Sequence, residues 1–148
     1  METLVKKLCP DLRLTASEYI EDTLELYVEY EPEYISCCPK CGQGSKRRHS
    51  AHIRRIKDLP IQEYKVVLVL NVREYFCDNE DCPQKIFAEK YDFLCSTGTR
   101  TQRLDDYLLK TALDSSAIGT ERLVRDKIAD DSNDSILRII KKNATDKK

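Results

Sequence analysis

Apolar and polar positions alternate in the first half of the chain and recur at helical spacing in its last third. Leu24, Leu26 and Val28 alternate with Glu25 and Tyr27, the period of two that a half-buried strand shows, so Ile20 to Val28 reads as a strand. A shorter strand around Leu12 to Leu14 would pair with it. His52 to Ile56 and Lys65 to Phe76 also read as extended. The second of these holds the run Val66-Val67-Leu68-Val69-Leu70 and then Val72, with Leu59-Pro60-Ile61-Gln62 between the two stretches. From Gly98 onward the period changes. Leu104, Leu108 and Ala112 repeat at helical spacing, with Thr97 or Thr99 as the expected cap. A second helix is expected from about Ala117 to Ala129, and a third, carrying Ile136, Leu137, Ile139 and Ile140, behind Ser132-Asn133-Asp134. The polar tail 144–148 is expected to fray. The pattern predicts an α+β chain, a β-rich ribbon followed by a small three-helix bundle.

Composition narrows the class. The chain has 148 residues, of which 41% are hydrophobic and 34% charged, and no apolar run approaches the roughly 20 residues of a membrane helix. The segment Met1 to Asp11 mixes acids and bases around a few leucines and shows no secretory pattern, so a reducing, cytoplasmic setting is expected. The net charge of −1 conceals a polarity along the chain. By count, residues 1–36 carry −6, residues 40–75 carry +6, residues 76–97 carry −3 and residues 98–148 carry +2. The basic middle is concentrated in Lys46-Arg47-Arg48 and Arg54-Arg55-Ile56-Lys57. Such a density suits phosphate neutralisation and is also what a solvated β-ribbon shows.

Four of the seven cysteines form two close pairs, Cys38-Pro39-Lys40-Cys41-Gly42 and Cys77-Asp78-Asn79-Glu80-Asp81-Cys82-Pro83. Two short turns offering two thiolates each supply the four ligands of a tetrahedral zinc site. Four cysteines would saturate the ion, so the site is expected to be structural and not catalytic. The competing readings are disulfides, a redox C-x-x-C pair, or iron in place of zinc. Cys37 sits beside Cys38, but the register and the following proline favour Cys38. Cys9 and Cys95 are expected to be small core residues, and His49 and His52 exposed ribbon residues. The expected division is an N-terminal hairpin over 1–36 packed on a zinc ribbon over 37–95, then helices over 96–143.

Three segments in order carry a resemblance: Cys38-Pro39-Lys40-Cys41-Gly42, then Arg54-Arg55-Ile56-Lys57-Asp58-Leu59-Pro60-Ile61, then the stretch from Arg73 through Cys77 and Cys82 to Glu89. Together they resemble the N-terminal zinc-finger region of bacterial insertion-sequence transposases of the ISL-three family. The resemblance implies a helix-turn-helix after the ribbon, with the third helix as its recognition element, and recognition of the terminal inverted repeats of a mobile element. In that family an acidic triad on a separate ribonuclease-H-like domain cuts and joins DNA. This chain is therefore expected not to be an enzyme, and Asp105-Asp106 and Asp130-Asp131 are expected to be surface or capping residues.

On this reading Lys46, Arg47, Arg48, Arg54 and Arg55 would neutralise phosphates of double-stranded DNA, giving affinity with little sequence information. Asn133 and Arg138 would reach base edges in the major groove, Ser132 and Ser135 would meet phosphate at the helix start, and Lys141 and Lys142 would follow the backbone. Another copy or a full-length transposase is a further expected partner, and the nucleoid the expected location. The competing functions are a protein-interaction module built on the zinc ribbon and a free-standing transcription regulator.

Overall fold

The computed structural model describes residues 1–114. Helix α1 (Glu2–Leu8) opens the chain, with Glu2 in its first turn and Lys6 and Lys7 in its last, the arrangement that the helix dipole favours. It is too short for periodicity to announce it, and the extended backbone of Cys9 ends it. Strands β1 (Leu12–Ile20), β2 (Thr23–Tyr30), β3 (Ser36–Cys37), β4 (Gly44–Ser45), β5 (Arg48–Ile61), β6 (Tyr64–Phe76) and β7 (Ile86–Ala88) follow, and α2 (Gln102–Asp114) closes the described part.

The main sheet has the order β1-β2-β6-β5, with β7 added to β6 in antiparallel register, Tyr75 opposite Phe87. A separate two-stranded ladder pairs β3 with β4, Ser36 opposite Ser45. The strands run longer than their hydrophobic patterns. Two-residue connections join β1 to β2 at Glu21-Asp22 and β5 to β6 at Gln62-Glu63, and in each the first residue takes φ of 55°. Both turns place a long acid or amide where Gly or Asn is the usual signal, so the sequence does not mark them. Pro60 lies inside β5, which its position at the end of the sheet order permits.

The chain divides into two compact units, one of Met1–Ser17, Leu26–Arg55 and Val69–Asp92, the other of Glu18–Glu25, Ile56–Leu68 and Phe93 onward. The first buries Leu26, Val28, Tyr30, Leu70, Val72, Tyr75 and Phe87, and the second Leu24, Ile56, Val66, Leu68, Leu104 and Leu108. In the second unit Leu104 and Leu108 pack with Leu59 and Leu109, which fixes the inward face of α2.

The fold corrects the expected architecture. The described residues are β-rich, with one main sheet and two helices, α1 and α2, that are not part of a bundle, so among the described residues there is no three-helix helix-turn-helix. The periodicity at Leu104, Leu108 and Ala112 does form α2, but its cap is Thr101 in place of Thr97 or Thr99. Thr101 Oγ1 accepts the Leu104 amide at 3.3 Å. The expected helices over 117–129 and behind Ser132, and with them Ser132, Asn133, Ser135, Arg138, Lys141 and Lys142, lie outside the described residues.

Candidate metal centre

Two turns build the site from opposite ends of the ribbon. In the first, Cys38 donates its amide to the Gln43 carbonyl at 2.9 Å and Gly42 donates back to the Cys38 carbonyl at 2.8 Å. This closed loop requires the left-handed φ of 77° that Gly42 adopts at no steric cost. In the second, Cys77 donates to the Lys85 carbonyl at 2.9 Å and Cys82 to the Asn79 carbonyl at 3.1 Å. The Asn79 side chain accepts the Asp81 amide at 3.1 Å and locks the longer C-x4-C turn.

The sulfurs of Cys38, Cys41, Cys77 and Cys82 all lie within 4.8 Å of one another. Cys38 approaches Cys82 at 3.9 Å and Cys41 approaches Cys77 at 3.6 Å. Zinc–sulfur bonds of about 2.3 Å in a tetrahedron put the sulfurs about 3.8 Å apart, so this spacing fits one structural zinc ion. Cys38 and Cys82 are buried with Tyr75 and Phe87 beneath them, while Cys41 is exposed. Cys37 is exposed and outside the cluster, Cys95 is buried, and Cys9 is half-buried.

Local amides divide the four thiols. The Gln43 amide and the Asn79 side chain draw Cys41 down to about 6, and the Cys41 and Lys40 amides lower Cys38. Cys77 is pushed up to about 12, because burial and hydrogen bonds with the neighbouring thiols outweigh the pull of the Asn79 amide; burial raises Cys82 as well. The first turn thus favours the thiolate form and the second opposes it, and binding a metal releases protons from the set.

The structure places the five basic ribbon residues in the first unit. Lys46, Arg47, Arg48 and Arg55 are exposed and Arg54 is half-buried. Arg47 is partly committed: its Nε donates to Asp78 at 2.8 Å and its guanidinium lies 4.6 Å from the centre of the Phe76 ring. His49 and His52 are exposed and flank Glu74 at 3.6 Å each, while Ser50 donates to that carboxylate at 2.7 Å.

Sequence reading missed three buried carboxylates, Glu25, which the alternation had placed on the polar face, Asp58 and Glu89. In the first unit Glu89 accepts the Arg73 amide at 3.0 Å and the Tyr91 hydroxyl at 3.0 Å, and the Arg73 guanidinium lies 3.4 Å away. In the second, Asp58 is 1% exposed and accepts Thr101 Oγ1 at 2.7 Å and Arg103 Nε at 2.8 Å, with a second bond from Arg103 Nη2. A faint signal for Asp58 was present: it shares the strand phase of Ile56, which is buried.

A closed four-thiolate knot between strand ends is the class of structural zinc ribbons. Residues 36–82 match the family described as the zinc-finger of transposase IS204/IS1001/IS1096/IS1165, and this stretch is a zinc-ribbon region of the ISL-three transposase family. A transposase for insertion sequence element IS1001 from Bordetella parapertussis is 36% identical over 64 residues. That match covers 41% of this chain and only 16% of the relative's length. No solved structure matches the chain. Among the described residues no helix is long and apolar enough to cross a membrane.

Proposed function

We propose that the chain is a DNA-binding module of a transposase, recognising the terminal inverted repeats of a mobile element in the bacterial nucleoid. The observation that supports this best is the juxtaposition, within one unit, of a transposase-type zinc ribbon with exposed cations at Lys46, Arg48 and Arg55. The zinc holds the two turns and thereby the start of β5, with Lys46 just before the strand, Arg48 at its first position and Arg55 further along it. Phosphates supply the affinity and its salt dependence, with a slope set by the number of phosphates neutralised. Arg54 and Arg47 contribute less, because one is half-buried and the other shares its charge with Asp78. The reading assigns the zinc no catalytic step, since four thiolates leave no position for water or substrate. Transposition chemistry, and assembly with another transposase chain, belong to groups other than this centre.

The test is a mobility-shift titration of the zinc-loaded chain with duplex carrying the inverted-repeat ends that flank its own gene, against random duplex of equal length, at several salt concentrations. The repeat duplex should bind more tightly. Arg48→Ala with Arg55→Ala should weaken both duplexes alike and lower the salt slope by about 2. Equal affinity for both duplexes in the unaltered chain would overturn repeat recognition, and no binding to either would overturn the DNA reading altogether.

A further inference from the structure

Three tyrosines of the first unit form a continuous stack. Tyr30 is the shared ring, 3.9 Å from Tyr34 at 9° and 5.0 Å from Tyr91 at 4°. The inner rings are pinned. Tyr30 and Tyr91 are buried, the Tyr30 hydroxyl donates to the Lys90 carbonyl, and the Tyr91 hydroxyl donates to Glu89. Tyr34 is the outer ring. It is half-buried and lines an open slot of about 230 Å³ with Ile35, Ser36, Cys37, Ala88, Lys90 and Asp92.

The walls come from β3 and the two residues before it and from the end of β7 and the residues after it, and each of these short strands is paired on one side only. The slot's position is fixed closely. Ile35 is seated over Gly44, where an added Cβ would lie 2.7 Å from Ile35 Cγ2. The Ser36 hydroxyl is buried there without a hydrogen-bond partner, a condition that costs free energy and favours any arrangement that satisfies it. The volume is below the roughly 300–1,000 Å³ of pockets for drug-sized ligands, and the lining residues bring together the aromatic Tyr34, the thiol of Cys37, a lysine, an aspartate and the apolar Ile35 and Ala88.

That set of groups selects a ligand. A cation alone would meet Lys90, and an anion alone would meet Asp92, with Asp11 also acting on the Tyr34 hydroxyl. A flat, neutral heterocycle with a donor and an acceptor on its edge suits Tyr34, Lys90 and Asp92 at once. We infer that the slot accepts a single unstacked nucleobase, laid on Tyr34 as the next ring of the stack, its acceptor toward Lys90 and its donor toward Asp92. This rests on the DNA-binding reading and adds to it a strand whose base has left the duplex. Stacking on an aromatic ring tolerates every base, so the slot confers preference for an unpaired or distorted nucleotide and not for a sequence.

The experiment uses the zinc-loaded chain and two otherwise identical probes, a fully paired duplex and a duplex with one unpaired 2-aminopurine. The unpaired probe should bind about tenfold more tightly than the paired one, with its fluorescence quenched on binding. Tyr34→Ala should abolish that advantage and leave the paired duplex unaffected, while Tyr34→Phe retains it. Ala88→Leu fills the slot without removing a contact from the tyrosine stack and should abolish the advantage as well, with zinc content unchanged. Equal binding of the two probes by the unaltered chain would overturn the slot while leaving duplex binding intact. So would an advantage that survives both Tyr34→Ala and Ala88→Leu. Binding of the unpaired probe alone would uphold the slot and overturn the duplex reading, and binding of neither would overturn both.

Discussion

In each unit a buried carboxylate lies against an arginine, but only the first is also tied by sulfur. In the first, Glu89 lies between Arg73 and tyrosine hydroxyls, and the strand ends beyond it converge on four cysteines. In the second, Asp58 holds both the cap of α2 and its first turn, through Thr101 and Arg103. The first unit's order near the cysteines depends on something that conditions can remove, a metal whose ligands also bind protons. The second rests on charge and packing that chelators do not touch. Folding of the two should therefore respond to different agents.

Removing the metal is the largest perturbation. Cys41→Ser, or a strong chelator, removes part or all of a binding free energy that reaches about 10–16 kcal/mol in zinc-finger peptides. Metal analysis should fall from about one zinc per chain. Hydrogen exchange should accelerate at β3, β4 and β7 before it does at α2, whereas simultaneous loss in both would erase the contrast drawn here. Zinc loading should also weaken as pH falls, because protons compete for the thiolates.

Asp58→Ala strikes the other unit. It leaves Arg103 without its buried partner and Thr101 without its acceptor, at a cost of about 3–5 kcal/mol in a urea titration at saturating zinc. Protection of α2 should fall first, with zinc content intact, and a change under 1 kcal/mol would mean that Asp58 is not what holds the helix.

Gly42→Ala sharpens the comparison, because open space surrounds Gly42 and only its φ of 77° is at issue. Zinc stability should drop by about 1–2 kcal/mol with the second unit unchanged.

The smallest effect is expected at Glu29. Burial opposes its charge, but Asn71 and Arg13 hold its carboxyl below the ordinary value of 4.5. A lowered value means stability fully present above the ordinary value and lost as pH falls through the lower, folded-state one. Glu29→Gln should thus cost less than about 1 kcal/mol at neutral pH, and progressively less as pH falls below 4.5, read from paired thermal melts.

Much of the metal centre was legible because cysteine spacing encodes it almost directly: two turns with fixed loop lengths bring four sulfurs together wherever the connecting strands run. Strands were legible as existing but not as bounded. Glu21 and Gln62 turn the chain without a glycine, and β6 switches its buried positions from even to odd, with Val72 and Arg73 both inside. The carboxylates were illegible for a different reason. A buried Asp58 or Glu89 is defined by partners 43–45 or 16 positions away, and no local pattern states that distance. The bundle expected around α2 misled in the same way: α2 has the right periodicity, but its apolar face is satisfied by Leu59 of a strand.

One detail of β5 bears on how the molecule keeps to itself. The strand is 14 residues long and ends the sheet, a length that ordinarily invites another chain to add on. Near its middle, Lys57 is already paired, donating to the Thr99 carbonyl at 3.2 Å and accepting the Thr101 amide at 2.9 Å. Three residues later Pro60 has no amide to offer. The longest edge in the fold is thereby cut into pieces, and the piece before the cut carries arginines at positions 48, 54 and 55 that a second copy would have to oppose with its own. An edge interrupted and charged in this way resists the addition of a second strand.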